Sequence, residues 1–478
     1  MNPVLRWVAI ACGLAAGLLL ILAGPGPLAM AMAAAPLLLS VLARPRLGLA
    51  LFAFVSAFMP YATVQAGIRI TVSEALLGLT WLSVCWRLAA GGLSWPSGEA
   101  ERRMRWLMLY SLLPLMVGQA VIQADGNGPV NWARWMLNLS TLFLAPLLLD
   151  DEAARDRLIA MLLLGMLAML SLSIAYFIKD RDANTFIPVL EKLHYAHPEA
   201  VKDIFSANFT RMASPWVHPN LTGGALVLFL PLAYFYALAE RGWRRLLGGA
   251  VALLGTAGLL FSISRGAIVS LALVLLWLSW LRAPHAGRII GLAAALGVAL
   301  VLFYPPLQER LSTIFSASNA STEVRIDEYR HFPEAMRRYP LGIGFKVEPP
   351  PPNTGLLGIS NLWLNYIYKT GIPGMLLFAA VTSAWWRETR PRSRLDRLSR
   401  ERALWLGSGA GVLAALLTGF FDHYYSFTMV LVGLFWLMAS LNLQAARRLA
   451  ARGDPMLVAP TRQPGREVSP AGGTRSAP

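Results

Sequence analysis

The chain has 478 residues, of which 56% are hydrophobic and 14% charged, with a formal net charge of +16. Soluble domains carry about 25% charged residues, so this composition excludes an ordinary soluble enzyme and indicates a membrane protein. The basic residues sit in short stretches between apolar runs, a pattern of topology determinants and not of a stripe that follows a nucleic-acid backbone.

Apolar runs of near-spanning length predict helices over 8–23, 28–42, 47–59, 72–86, 106–122, 135–149 and 158–178. The series continues over 221–238, 246–262, 266–281, 289–304, 362–386, 403–421 and 427–443. The expected fold class is therefore all-α, a polytopic transmembrane bundle of about 12 to 14 helices. The run 47–59 is short for a crossing and reads as re-entrant or partly buried. The first run follows Arg6 like a secretion signal, but hydrophobicity persists for hundreds of residues, so it reads as a retained helix. Cys12 and Cys85 fall inside apolar runs and are expected to be packing residues.

Orientation follows from Lys and Arg in the short loops. Arg44, Arg46, Arg102, Arg103, Arg105, Arg241, Arg244 and Arg245 fall on one side, with Arg282, Arg288, the run 387–402, Arg447 and Arg448. That side is predicted to be cytoplasmic, as are both termini. Two long segments, 179–220 and 305–361, then lie outside, the first with five basic and five acidic residues and the second with six of each. The expected units are helices in 1–178, a long outer loop over 179–220, helices in 221–304, a second loop over 305–361 and helices in 362–445. The tail 446–478, rich in Pro, Gly, Ser and Arg towards its end, is expected to be disordered.

Four pieces of sequence carry chemistry. Phe261-Ser-Ile-Ser-Arg265-Gly-Ala267 places an arginine between two apolar runs, at the outer surface. An arginine there must face a cavity, a partner or water, or else snorkel at a tight turn. Arg325 shares a helical face with Tyr329, Phe332, Met336 and Tyr339, which directs it towards the protein body; Pro333 kinks that helix or starts another. The alternative for Arg325 is an ion pair with Glu323, Asp327 or Glu328 on a solvated face. Arg211 precedes His218-Pro-Asn220-Leu-Thr-Gly-Gly at the start of a span. Finally, Tyr339-Pro-Leu-Gly342-Ile-Gly344-Phe is followed by Ser360-Asn361-Leu-Trp-Leu364 and by Thr370-Gly371-Ile-Pro-Gly374. Asp180-Arg-Asp182 mimics a metal-binding pair but sits among Lys179 and Arg181 and reads as solvated charge.

Taken in order over roughly residues 205–375, these pieces resemble the O-antigen ligase and O-antigen polymerase superfamily. The resemblance implies a GT-C-like membrane glycosyltransferase in the bacterial inner membrane, with two long periplasmic loops containing short helices. It implies an undecaprenyl-diphosphate-linked glycan donor and a lipid A-core acceptor for a ligase, or a second lipid-linked repeat for a polymerase. It implies no cofactor, metal or nucleic-acid partner. The arginines that family members use at the diphosphate correspond to Arg265 and Arg325, with Arg211 as a third. Asn220, Tyr329, Ser360 and Asn361 become candidate substrate-binding residues. Many members carry a histidine immediately before the asparagine that opens the late span; here Ser360 stands there, and a serine hydroxyl is no comparable base. His218, His331 and His423, all expected at the outer surface, are the candidate replacements.

Of the two chemistries the ligase reading is favoured. A transporter is the competing class, and it is weakened because no carboxylate or histidine falls near the middle of any predicted span.

Overall fold

The computed structural model describes residues 35–66, 68–122, 127–179, 187–195, 211–283, 285–303, 305, 308, 320–345, 356, 358–393 and 397–457. The expected span 8–23, residues 28–34 of the expected span 28–42, Asp180, Asp182 and the tail beyond residue 457 lie outside them.

The protein is an all-α polytopic bundle, as a long apolar chain must be when hydrocarbon offers its backbone no hydrogen-bond partners. Among the described residues, five helices are long and apolar enough to cross a membrane: Glu152–Lys179, Pro219–Ala239, Gly242–Ser262, Ala286–Phe303 and Met429–Ala451. Several other expected spans are present in broken form. Ala35–Ala43 and Pro45–Phe58 meet at 118°, which explains why the run 47–59 is short. The run 106–122 is divided among Glu99–Tyr110, Leu112–Val117 and a π-helical turn, Gly118–Ile122. Leu362–Thr389 contains a non-helical Gly371 (φ 71°, ψ 174°). One short antiparallel hairpin, Thr63–Ala66 with Ile68–Thr71, was not expected from the sequence; its register sets Thr63 opposite Thr71.

Met429–Ala451 and Pro219–Ala239 form the centre of the bundle and are buried nearly all round. Arg400–Thr418 packs closely on the second of these because it presents small residues: a Cβ added at Gly411 would fall 2.1 Å from the Leu228 carbonyl oxygen, and one at Gly407 2.7 Å from the Leu232 Cα. At the rim, Leu246, Leu253, Leu273, Leu276, Leu292 and Phe303 point outward and are exposed, which suits contact with lipid. Cys85 also faces outward. The expectation that it is a packing residue is corrected: its position on Val72–Ala89 falls on the outer face, between the buried Val84 and the exposed Trp86.

One end of the bundle is bound by ion pairs. Arg155 donates to Glu401 at 2.9 Å with both side chains buried, Arg447 joins Glu101 to Glu388, and Asp156 accepts from Arg244 and Arg400. Buried charge needs such pairing to be tolerated at all. Arg244, Arg400 and Arg447 are among the arginines that the charge rule sets on a single side.

Candidate functional site

The opposite end holds the residues the motifs singled out. At the end of Gly242–Ser262 the chain turns through Ile263, in left-handed conformation at φ 50°. A β-branched residue there costs of order 1–3 kcal/mol and persists only where its surroundings impose it. The constraint is visible. Met212 N–H donates to the Phe261 carbonyl at 3.0 Å, and Arg211 Nε donates to the Ser262 carbonyl at 2.8 Å. Arg211 Nη2 reaches both the Ile263 carbonyl at 3.4 Å and the Asn220 side-chain oxygen. Arg211 thus fastens this turn to the first turn of Pro219–Ala239. Gly223 lies against Ser264 and Gly224 against the Tyr424 ring with no room for a side chain, so the two glycines permit the close approach. The turn delivers Arg265 as the first residue of Arg265–Trp280.

Arg325 arrives from Ala320–Arg338, a single helix that contains Pro333 without ending there. The expected face is realised in its later part, where Tyr339 is buried and Phe332 and Met336 pack on a small cluster with Ala335, Ile359 and Tyr368, whereas Tyr329 is exposed. Arg325 Nη2 lies 3.8 Å from Asp422 Oδ2, while its Nε is buried and finds no hydrogen-bond partner among the described residues. Arg211, Asn220, Arg265, Arg325, Asp422 and Tyr424 all line one cavity of about 310 Å³.

Asp422 is the residue the sequence reading missed. It follows Arg400–Thr418 in a short turn; its Oδ1 accepts from the His423 N–H at 2.8 Å and lies 3.2 Å from His423 Nδ1, and its Oδ2 accepts from the Tyr424 hydroxyl. Burial works to raise this carboxyl, but the bonds and charge from His423 and Tyr424 outweigh it, so its pKa lies below the ordinary value. Burial and the adjacent carboxylate hold the Tyr424 phenol well above its own. A lone Asp in an outer turn between two apolar runs was the available signal.

His218 caps Pro219–Ala239, its Nδ1 accepting from the Asn220 N–H at 3.2 Å. Desolvation and then the Arg211 charge lower its pKa, with Asp422 opposing, which keeps the imidazole neutral near pH 7. His423 stands beside Asp422. His331 does not join them: it is exposed, its Nδ1 2.9 Å from the Asp327 carbonyl on its own helix.

Tyr329, Ser360 and Asn361 lie outside the cavity lining and join elements together. Ser360 donates its N–H and hydroxyl to Glu328 at 2.7 and 3.2 Å, and its carbonyl accepts from the Tyr329 hydroxyl at 3.5 Å. Asn361 caps Leu362–Thr389, accepting from the N–H groups of Trp363 and Leu364 at 3.0 and 3.1 Å and donating to the Phe420 carbonyl at 3.3 Å. The Pro-Leu-Gly-x-Gly segment docks into the break of that helix: Ile343 and Gly344 N–H donate to the Tyr368 and Lys369 carbonyls, both at 2.9 Å. Gly342 (φ 87°) and Gly371 (φ 71°) meet backbone to backbone there; a Cβ on Gly342 would fall 2.6 Å from Gly371 N. The two glycine motifs are the halves of one joint.

Three arginines and one aspartate line this cavity, which leaves its charge positive. The planar donors of arginine suit phosphate oxygens, and their charge is permanent. In comparison with known proteins, residues 223–379 match the family model described as O-antigen ligase. The match runs from Gly223 through Arg265 and Arg325 and past the Gly371 break; Arg211, His218, Asn220, Asp422 and His423 fall outside it. No curated protein matches the chain.

Proposed function

This chain carries the domain of the O-antigen ligase superfamily over residues 223–379, and on that premise we propose that it is an O-antigen ligase. It is a ligase- or polymerase-type membrane glycosyltransferase; the finer reading is transfer of undecaprenyl-diphosphate-linked glycan to a lipid A-core sugar at the periplasmic face of the inner membrane. The observation that carries it is the convergence of Arg211, Arg265 and Arg325 with Asp422 on one cavity, at the bundle end away from the arginine-rich loops.

In this reading Arg265 and Arg325 hold the diphosphate. Breaking the anomeric C–O bond leaves charge on the departing diphosphate, and fixed guanidinium groups stabilise it as it develops. Arg211, already bound to the Ser262 carbonyl and Asn220, holds the Arg265 turn in place and adds positive potential. The acceptor hydroxyl attacks the opposite face of the sugar and inverts the anomeric centre. Its proton needs an acceptor, which Ser360 cannot be, with its hydroxyl engaged on Glu328. Asp422 is the ionised carboxylate in the cavity, and a diphosphate that draws Arg325 away from it would open a lone pair on Oδ2, beside the Tyr424 hydroxyl, to accept that proton. His423 follows it in the chain with Nδ1 3.2 Å away, and the neutral His218 lies close enough to feel its charge. No step calls on a cofactor.

The test is a gel of lipopolysaccharide from a strain lacking the protein, beside its pool of lipid-linked glycan. A ligase leaves bare core, with long polymer accumulating on the lipid carrier. Core bearing a single repeat, with no long polymer, would instead identify a polymerase of lipid-linked repeats. An unaltered ladder would remove both readings and return the transporter.

A further inference from the structure

A second and larger cavity, about 1190 Å³, lies at the other end of the bundle. The Gly242–Ser262 helix fixes the separation: Arg244 in its first turn lines this cavity, and Ile263 just past its last lines the anion site. A helix of that length spans about 30 Å, the thickness of the hydrocarbon layer. The two cavities therefore open towards opposite faces of the membrane.

The charge of this cavity is one-sided, with five arginines among its described lining residues against two aspartates. Arg46 and Arg244 are engaged with Asp150, Asp151 and Asp156. Arg44, Arg87 and Arg157 are exposed and form no ion pair among the described residues; Arg87 donates only to the Ala43 carbonyl at 2.7 Å. The walls between them are apolar, formed by Leu47, Ala50, Leu147, Leu148 and Leu164. A purely topological role for these arginines asks only that they stay on one side; it does not require them to converge on an apolar-walled space. An adjoining cavity of about 470 Å³ shares Ala43 and Arg87 with the first. It opens between Leu42, Leu82 and Trp86, all exposed on the flank of the bundle.

We propose that this pair of cavities binds an anionic glycerophospholipid, its phosphate among Arg44, Arg87 and Arg157 and an acyl chain leaving past Ala43 along Leu82 and Trp86. Basic pockets between helices recognise lipid phosphates in this way. A free phosphate would satisfy the same arginines but would leave the apolar annex without a purpose. The site is independent of the glycan-transfer reading, and its residues are remote from the anion site.

The test uses the full-length protein in nanodiscs or detergent, with lipid retention read by native mass spectrometry. Wild type should retain phosphatidylglycerol in preference to phosphatidylcholine. The triple variant Arg44→Gln, Arg87→Gln, Arg157→Gln should weaken retention about a hundredfold, at about fivefold per arginine. Arg282→Gln with Arg288→Gln, at the same end but outside the lining, should leave it unaltered. Ala43→Trp blocks the junction while keeping every charge; it should abolish lipid retention and serves if the triple variant does not fold. Equal retention of the two lipids, or full retention in Ala43→Trp, would overturn the proposal. Displacement of phosphatidylglycerol by soluble glycerol phosphate at similar concentrations would overturn it in favour of a free-phosphate site.

Discussion

Asp422 faces Arg325, His423 and Tyr424 at once, and these contacts define what its removal should do. Asp422→Asn keeps the shape and removes the charge. If the carboxylate takes the acceptor proton, transfer should fall by at least about a hundredfold while binding of the lipid-linked donor is kept, because the opposing negative charge is gone. Arg265→Ala and Arg325→Ala should lose both donor binding and transfer, also by at least about a hundredfold, at normal protein level. Purified-enzyme assays with separate donor-binding measurements distinguish the two patterns. His218 has a lowered pKa, so the unfolded chain binds its proton more readily than the folded one. Its contribution is complete above about pH 6.5 and is lost as pH falls towards the folded value. The melting temperature of wild type should therefore drop more between pH 7 and pH 5 than that of His218→Asn. At this scale Arg265, Arg325, Arg211 and Asn220 were legible because each sits in a local motif. Asp422 was not, because the arginine it faces is about a hundred residues away and no period in the chain connects them.

Among the elements, spans with continuous apolar character were readable and interrupted ones were not. Pro114 and Gly118 break the run 106–122, and the Pro-Leu-Gly-x-Gly segment uses that irregular stretch: a Cβ on Gly344 would fall 2.6 Å from the Pro114 carbonyl oxygen. The loop that fills the break lies more than two hundred residues downstream, beyond the reach of any local pattern. The same holds for the joint at Gly371. Gly371→Ala combines a positive φ with a contact of about 3 Å to Leu341 Cα, and should destabilise the protein by about 1–3 kcal/mol. Thermal unfolding in detergent measures this. Ala substituted at Gly249, which has open space around it, is the control expected to be neutral or slightly stabilising.

For the whole molecule, the two charged ends give a test of orientation. In a background lacking Cys12 and Cys85, Ser360→Cys should react with a membrane-impermeant maleimide applied from the periplasmic side. Arg397→Cys, at the ion-paired end, should react only after the inner membrane is opened. The reverse pattern would invert the topology. The alternating apolar runs and one-sided arginines made this architecture readable from sequence, since both follow from the membrane itself; helix breaks and cavity walls depend on packing partners that the membrane does not dictate. The helix that bears Arg325 belongs to neither the membrane-embedded core nor free solvent. It rests on a satellite cluster around Ala335, Tyr339 and Tyr368, and hangs from the Ser360–Glu328 contact and the Gly342–Gly371 joint. Arg265, by contrast, opens a helix packed in the bundle, and Arg211 is hydrogen-bonded to the ends of two others. In the proposed clamp one jaw is set in the bundle and the other on a helix braced from outside it, so a substitution in the satellite cluster, such as Ala335→Trp, should impair donor binding while leaving the packing of the spans intact.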